Sequence, residues 1–142
     1  MITITKEFSF DAAHLLENHS SKCKNLHGHT YKMLVTVSKE ELDNNMIIDF
    51  SDLKKIVNET IIDKLDHAFL YNSNTKLNYV KEIAKLLEDK GLKTYKFKTR
   101  TTCEEMIIVI FDLLEKELEK KEIKLLSIKL YEGVGSYAEY SR

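Results

Sequence analysis

Two stretches of this chain alternate apolar and polar residues with a period of two, and each carries histidine on its apolar parity. In residues 2–14, Ile2, Ile4, Phe8, Phe10 and Ala12 share one parity, and His14 continues it. From His27 the pattern returns: Tyr31, Met33, Val35 and Val37 share a face, and His27 and His29 precede them on that face. Side chains of a strand repeat every second residue, so each run predicts a strand with one buried side. The polar stretch between them, LLENHSSKCKNL over residues 15–26, reads as a loop. A connection of that length permits antiparallel pairing of the two strands.

Helical spacing follows. Leu53, Ile56, Val57, Ile61 and Leu65 recur as on one helix face, with Ser51 as candidate N-cap. Leu77, Val80, Ile83, Ala84 and Leu87 form a second stripe, which Gly91 ends. TYKFK, residues 94–98, is a candidate short strand. Thr102 and Glu105 have the spacing of a capping box ahead of MIIVIFDLLEKELEK. Leu126, Ile128 and Leu130 then alternate inward with Glu132 on their parity, and residues 136–140 supply a last strand. The expected fold is α+β: a four-stranded antiparallel sheet with helices on one face.

Composition narrows the function classes. With 142 residues, 43% of them hydrophobic, one domain spanning 1–142 has enough apolar surface for a core. The absence of proline and the four glycines predict few, short loops. Lys plus Arg is 22 against 23 Asp plus Glu, a net charge of −1 that points to neither nucleic acid nor an anionic membrane as partner. No apolar run approaches a membrane span, and MITITKEFSF lacks the layout of a signal peptide. Two cysteines make no disulfide framework, so a cytoplasmic location is expected.

The chemistry-bearing residues fall in three groups. His27 and His29 project from one strand face, Gly28 removes bulk between them, and His14 can meet them from the neighbouring strand. Three neutral imidazoles leave one open tetrahedral position, the catalytic arrangement for zinc. The plain alternative is a set of satisfied core histidines, since His-x-His is common by chance. Cys23, four residues before His27, is either a fourth ligand that closes the site or a free thiol beside an open one, where a cation would favour thiolate. Cys103, at a helix start, reads as packing. Asp66-His67 in KLDHAFL is either a helix end whose dipole favours histidine or an imidazole oriented by a carboxylate for acid–base work. Glu132 is either a strand-end glutamate turned to solvent or a buried carboxylate that needs a donor.

Taken in order, FSFDAAHLL, CKNLHGHTYK, IIDFSDLK, LDHAFL, TTCEEM and YEGVGSYAEY resemble the motifs of the 6-pyruvoyltetrahydropterin synthase family. Only residues 72–98 lack an obvious counterpart. The thiol four residues before His-Gly-His resembles the bacterial 6-carboxytetrahydropterin synthase branch of the queuosine (7-deazapurine) pathway. The resemblance implies a tunnelling fold (T-fold), whose subunits close an oligomeric barrel as trimers and stack as a homohexamer with sites at subunit interfaces. It implies zinc on His14, His27 and His29, Cys23 as proton acceptor, and Asp66 and His67 assisting proton transfer. It also implies Glu132 as the pterin anchor, with Thr102 and Glu104 nearby.

The implied activity is that of a zinc-dependent lyase that turns 7,8-dihydroneopterin triphosphate into 6-carboxy-5,6,7,8-tetrahydropterin, acetaldehyde and triphosphate. The alternatives are the sibling 6-pyruvoyltetrahydropterin synthase reaction and a non-catalytic zinc- or pterin-binding relative. The chain departs from the family at Thr101-Thr102, where Pro-Thr is frequent, and at Gly133 and Gly135, where threonine is usual. Lys22, Lys24 and Arg100 are candidates for the triphosphate, with surface solvation the simpler explanation.

Overall fold

A computed structural model describes residues 1–142. The two alternating runs form long strands, β1 (Thr3–His14) and β2 (His27–Ser38), paired antiparallel along their whole length. Their even and odd parities respectively, Phe8, Phe10 and Ala12 on β1 and Tyr31, Met33, Val35 and Val37 on β2, are buried as the alternation predicts. α1 (Phe50–Val57) continues through a wide π-turn at Asn58–Ile62 into the short α2 (Asp63–Leu65). β3 (Ala68–Asn72), α3 (Asn78–Asp89), β4 (Thr94–Phe97), α4 (Cys103–Glu119), β5 (Lys124–Gly133) and β6 (Ser136–Ser141) follow.

The sheet corrects the expected four antiparallel strands. It has six strands in the order β4-β3-β1-β2-β5-β6. The β1–β2, β2–β5 and β5–β6 pairs are antiparallel, but β3 runs parallel to β1 and to β4. The five residues AFLYN of β3 carry an apolar run too short to distinguish from the end of a helix. Docking against β1 makes them a strand, and α3 supplies the crossover that the parallel β3–β4 pair requires.

Helices cover both faces of the sheet rather than one. α1, α2 and α4 pack on the even face of β1, where Leu53, Val57, Leu65, Met106, Ile110 and Phe111 join Phe8, Phe10, Tyr31 and Met33 in one core. α3 packs on the other face: Val80 and Ala84 meet Leu15 and Phe69, flanked by Ala13 and Tyr71. The segment without an obvious family counterpart therefore builds a second, smaller apolar layer beside the end of β1.

Two local expectations change. Asp49, not Ser51, caps α1, and its carboxylate accepts the Ser51 N–H at 2.7 Å. In β5 the register shifts opposite Thr36 and Val37, so Leu125 takes the buried place and Leu126 is only half-buried. Beyond the shift, Ile128 and Leu130 keep the inward parity that leads to Glu132. Thr102 caps α4 as predicted, its hydroxyl accepting the Glu105 N–H at 3.3 Å. No helix is long and apolar enough to cross a membrane.

Candidate metal centre and active site

The β1–β2 register sets His14 opposite His27 and Ala12 opposite His29. Paired residues share a face, so the three imidazoles converge on the core side at one end of the sheet. The approach of the strands is close here: a Cβ at Gly28 would lie 3.1 Å from the Ala12 carbonyl oxygen. His14 Nε2 and His29 Nε2 each lie 3.1 Å from His27 Nε2.

The outer nitrogens determine what the inner ones offer. His14 Nδ1 is 2.9 Å from the Thr101 carbonyl, and His27 Nδ1 is 2.7 Å from the Asn25 carbonyl. A carbonyl only accepts, so both Nδ1 atoms carry the proton and both Nε2 lone pairs point to the shared centre. Facing lone pairs repel unless a cation lies between them. Two nitrogens bound tetrahedrally at about 2.0–2.1 Å from zinc stand roughly 3.3 Å apart, close to the spacing here. The donor set fits zinc. Burial pushes the His14 imidazole down to about 4 and lowers His29 as well, which favours the neutral form a metal needs.

Glu132 closes one side of this cluster. Its Oε1 lies 3.3 Å from His29 Nε2, and Cys103 Sγ donates to its Oε2 at 3.7 Å. Cys103 was expected only to pack. It does join the core, but it also supplies a donor to a half-exposed carboxylate. Burial, with the Glu132 charge adding to it, pushes this thiol up to about 12, so it stays protonated and able to donate. Its position beside Glu104 in the polar TTCEE run is the one sequence signal of that role. Thr101, also missed, is buried behind His14 and holds its tautomer. Thr102 is half-buried at the α4 cap, and Glu104 is exposed in the first turn.

Cys23 sits half-buried in a short 3-10 turn, Lys22–Lys24, whose Cys23 carbonyl accepts the Leu16 N–H at 2.9 Å. Its thiol stays outside the group of converging imidazoles, which leaves that group three-membered. Lys22, Lys24 and Arg100 are exposed.

Asp66 and His67 form the turn between α2 and β3. His67 Nδ1 lies 3.0 Å from Asp66 Oδ1, and His67 has a left-handed φ of 61°. The Asp11 N–H donates to Asp66 Oδ1 at 2.9 Å and is the main cause holding the Asp66 carboxyl below its usual range. The polar atoms of Asp11, Asp66 and His67 all lie within 4.8 Å of one another. Asp11 has the opposite parity to His14, so its carboxylate, which lies beside this pair, projects from the face of β1 opposite the imidazole cluster. Nothing in the sequence signals this separation, because the side on which the 66–67 turn docks is decided by β3.

Comparison with known proteins agrees with the architecture. The family described as 6-pyruvoyl tetrahydropterin synthase matches residues 3–142. The chain is 44% identical over 144 residues to a Haemophilus influenzae protein named 6-carboxy-5,6,7,8-tetrahydropterin synthase, covering 99% of both. A relative of the same name from Aquifex aeolicus is 30% identical, with 96% of each chain covered. Among solved structures, an uncharacterized protein from Wolinella succinogenes superposes with a TM-score of 0.82 at 20% identity, over 99% of this chain and 98% of that one. The 6-pyruvoyl tetrahydropterin synthase of Plasmodium falciparum superposes with a TM-score of 0.74 at 20% identity, over 99% and 97%. Both structures share the fold.

Proposed function

The chain belongs to the 6-pyruvoyl tetrahydropterin synthase family, and from that premise we propose that it is a zinc-dependent lyase converting 7,8-dihydroneopterin triphosphate and one water into 6-carboxy-5,6,7,8-tetrahydropterin, acetaldehyde and triphosphate. The observation that carries this reading is the convergence of three imidazoles on one centre beside the carboxylate of Glu132. The full-length similarity to a protein named for the carboxy product favours that product. The pathway would be queuosine (7-deazapurine) biosynthesis.

His14, His27 and His29 would hold the zinc. When bound, the metal supplies Lewis-acid polarisation of the substrate's side-chain oxygens, which acidifies the adjoining C–H and O–H groups. Glu132 accepts hydrogen bonds from the amino and ring N–H groups of the pterin, a flat donor pair matched to its two oxygens. Thr102 and Glu104, at the start of α4, border that pocket. Cys23 takes a proton from the substrate side chain. His67, its Nδ1 held by Asp66, gives or takes a second proton at Nε2.

The imidazole cluster and His67 face opposite ways across β1. A site completed between neighbouring subunits, as in a hexamer of two trimers, would bring both to one substrate. Pairing of the free edges of β4 and β6 with other copies would satisfy their unpaired main-chain groups.

Incubation of the purified zinc-loaded protein with 7,8-dihydroneopterin triphosphate tests the reading. Acetaldehyde released in step with triphosphate is the expected result. Triphosphate without acetaldehyde would make the protein a 6-pyruvoyltetrahydropterin synthase. Neither product from a zinc-loaded protein would leave a non-catalytic relative.

A further inference from the structure

Asp11 is tied to its surroundings through three separate groups. Its N–H donates to Asp66 Oδ1 at 2.9 Å, its carbonyl accepts the His67 N–H at 2.6 Å, and its carboxylate accepts the Thr30 hydroxyl at 2.5 Å. Thr30 is its partner in the β1–β2 ladder. Since both main-chain groups of Asp11 point to the 66–67 turn, they point away from β2. The Asp11–Thr30 pair is thus one of the ladder positions where antiparallel strands exchange no main-chain bond and side chains approach most closely. The hydroxyl-to-carboxylate bond is the direct polar link between the strands at this level, and its charge makes it a strong one.

The turn itself needs holding. A left-handed histidine is uncommon and persists only where its surroundings fix it. Two supports act here. Lys93 Nζ donates to the Asp63 and Asp66 carbonyls, each at 2.6 Å, from the β4 side. The main chain of Asp11 grips both residues of the turn from the β1 side.

We propose that Asp11 and Thr30 are positioning residues for the proton-transfer pair: their cross-strand bond steadies the β1 main chain on which the Asp66–His67 turn is docked, and so aims the His67 imidazole. This rests on the proton-transfer role given to His67 above. The pair lies on the face of β1 opposite the converging imidazoles, so its effect is separable from metal binding.

The test uses the zinc-loaded protein with 7,8-dihydroneopterin triphosphate and five variants. Thr30→Val and Asp11→Ala each lower kcat about tenfold and leave KM within about twofold, as misaimed catalytic groups do. The double variant falls no further than either single one, because both remove the same bond. Thr30→Ser and Asp11→Asn, which keep a donor and an acceptor in place, retain most of the turnover. The His67 ring-nitrogen NMR signals shift in Thr30→Val and not in Thr30→Ser, and zinc content is unchanged in all of them. His67→Ala is run alongside. If it loses turnover while Thr30→Val and Asp11→Ala do not, the positioning proposal is wrong and the role of His67 stands. Additive losses in the double variant, or zinc lost from Thr30→Val, also overturn it. If His67→Ala turns over normally, the role of His67 fails, and the proposal fails with it.

Discussion

On one face of β1, His14 is fully buried, with its outer nitrogen fixed by the Thr101 carbonyl; on the other, His67 leaves 76% of its side chain open to solvent. Both histidines have a protein partner at Nδ1, and in both the arrangement leaves Nε2 to act. They differ in what completes them. The imidazole cluster draws its three nitrogens, and the Thr101 and Asn25 carbonyls that orient His14 and His27, from one chain. The exposed pair has its orienting carboxylate and main-chain supports, and its imidazole is open to solvent. A metal site gains from burial, because desolvation favours the neutral form of His14 and His29, whereas a histidine that trades protons must stay within reach of solvent or ligand.

Breaking the buried side should have the largest effect. His27→Ala should drop metal from about one per chain to none by elemental analysis, since two imidazoles make a poor zinc site. Cys23→Ala should keep the metal, and its loss from a folded Cys23 variant would mean that the thiol is a ligand.

The exposed side breaks differently. His67→Ala should keep full metal content and lose about 10² to 10⁴-fold in kcat, the usual range for a positioned acid–base group. Mixing unfolded Cys23→Ala and His67→Ala chains and refolding them together sharpens the contrast. With sites shared between two neighbours, random assembly should restore activity at about a quarter of them. No recovery would place both residues in one chain's site.

A smaller effect is expected where Glu132 meets the pterin. Glu132→Gln turns one acceptor into a donor facing a donor, and should weaken binding of a pterin analogue by about 1–3 kcal/mol in titration calorimetry. Glu139, on β6, holds only a half-exposed pairing with Lys129 at 3.9 Å, and its Gln variant should bind the analogue normally. Equal affinities for the two variants would remove Glu132 as the anchor.

The mildest probe compares the two thiols. A raised pKa means that thiolate appears only at high pH, so Cys103, pushed up to about 12 and buried, should resist iodoacetamide at pH 8. Cys23, half-buried in its turn, should be alkylated first in peptide mass spectra. Early labelling of Cys103 would contradict its place as a closed donor to Glu132.

The alternating runs of β1 and β2 were legible without coordinates, and so was the face that carries His14, His27 and His29. Parity is a local property: once a strand forms with one apolar side, every second residue follows it. The caps were partly legible for the same reason. Thr102 was identified correctly, whereas Asp49 outcompeted Ser51 because a carboxylate two residues earlier reaches the same free N–H groups. Chemistry spread over distant segments was not legible. That AFLYN is a strand, that it runs parallel to β1, and that α3 covers the opposite face all depend on docking between segments far apart in the chain. The shift at Leu126, the thiol of Cys103 on Glu132 and the grip of Asp11 on the Asp66–His67 turn belong to the same class. By itself, the sequence determined which residues were candidates to bind a metal or move protons. The tertiary structure alone decided which of them face one another, because a side chain's parity is set within its strand, but its neighbours are set by where the other strands pack.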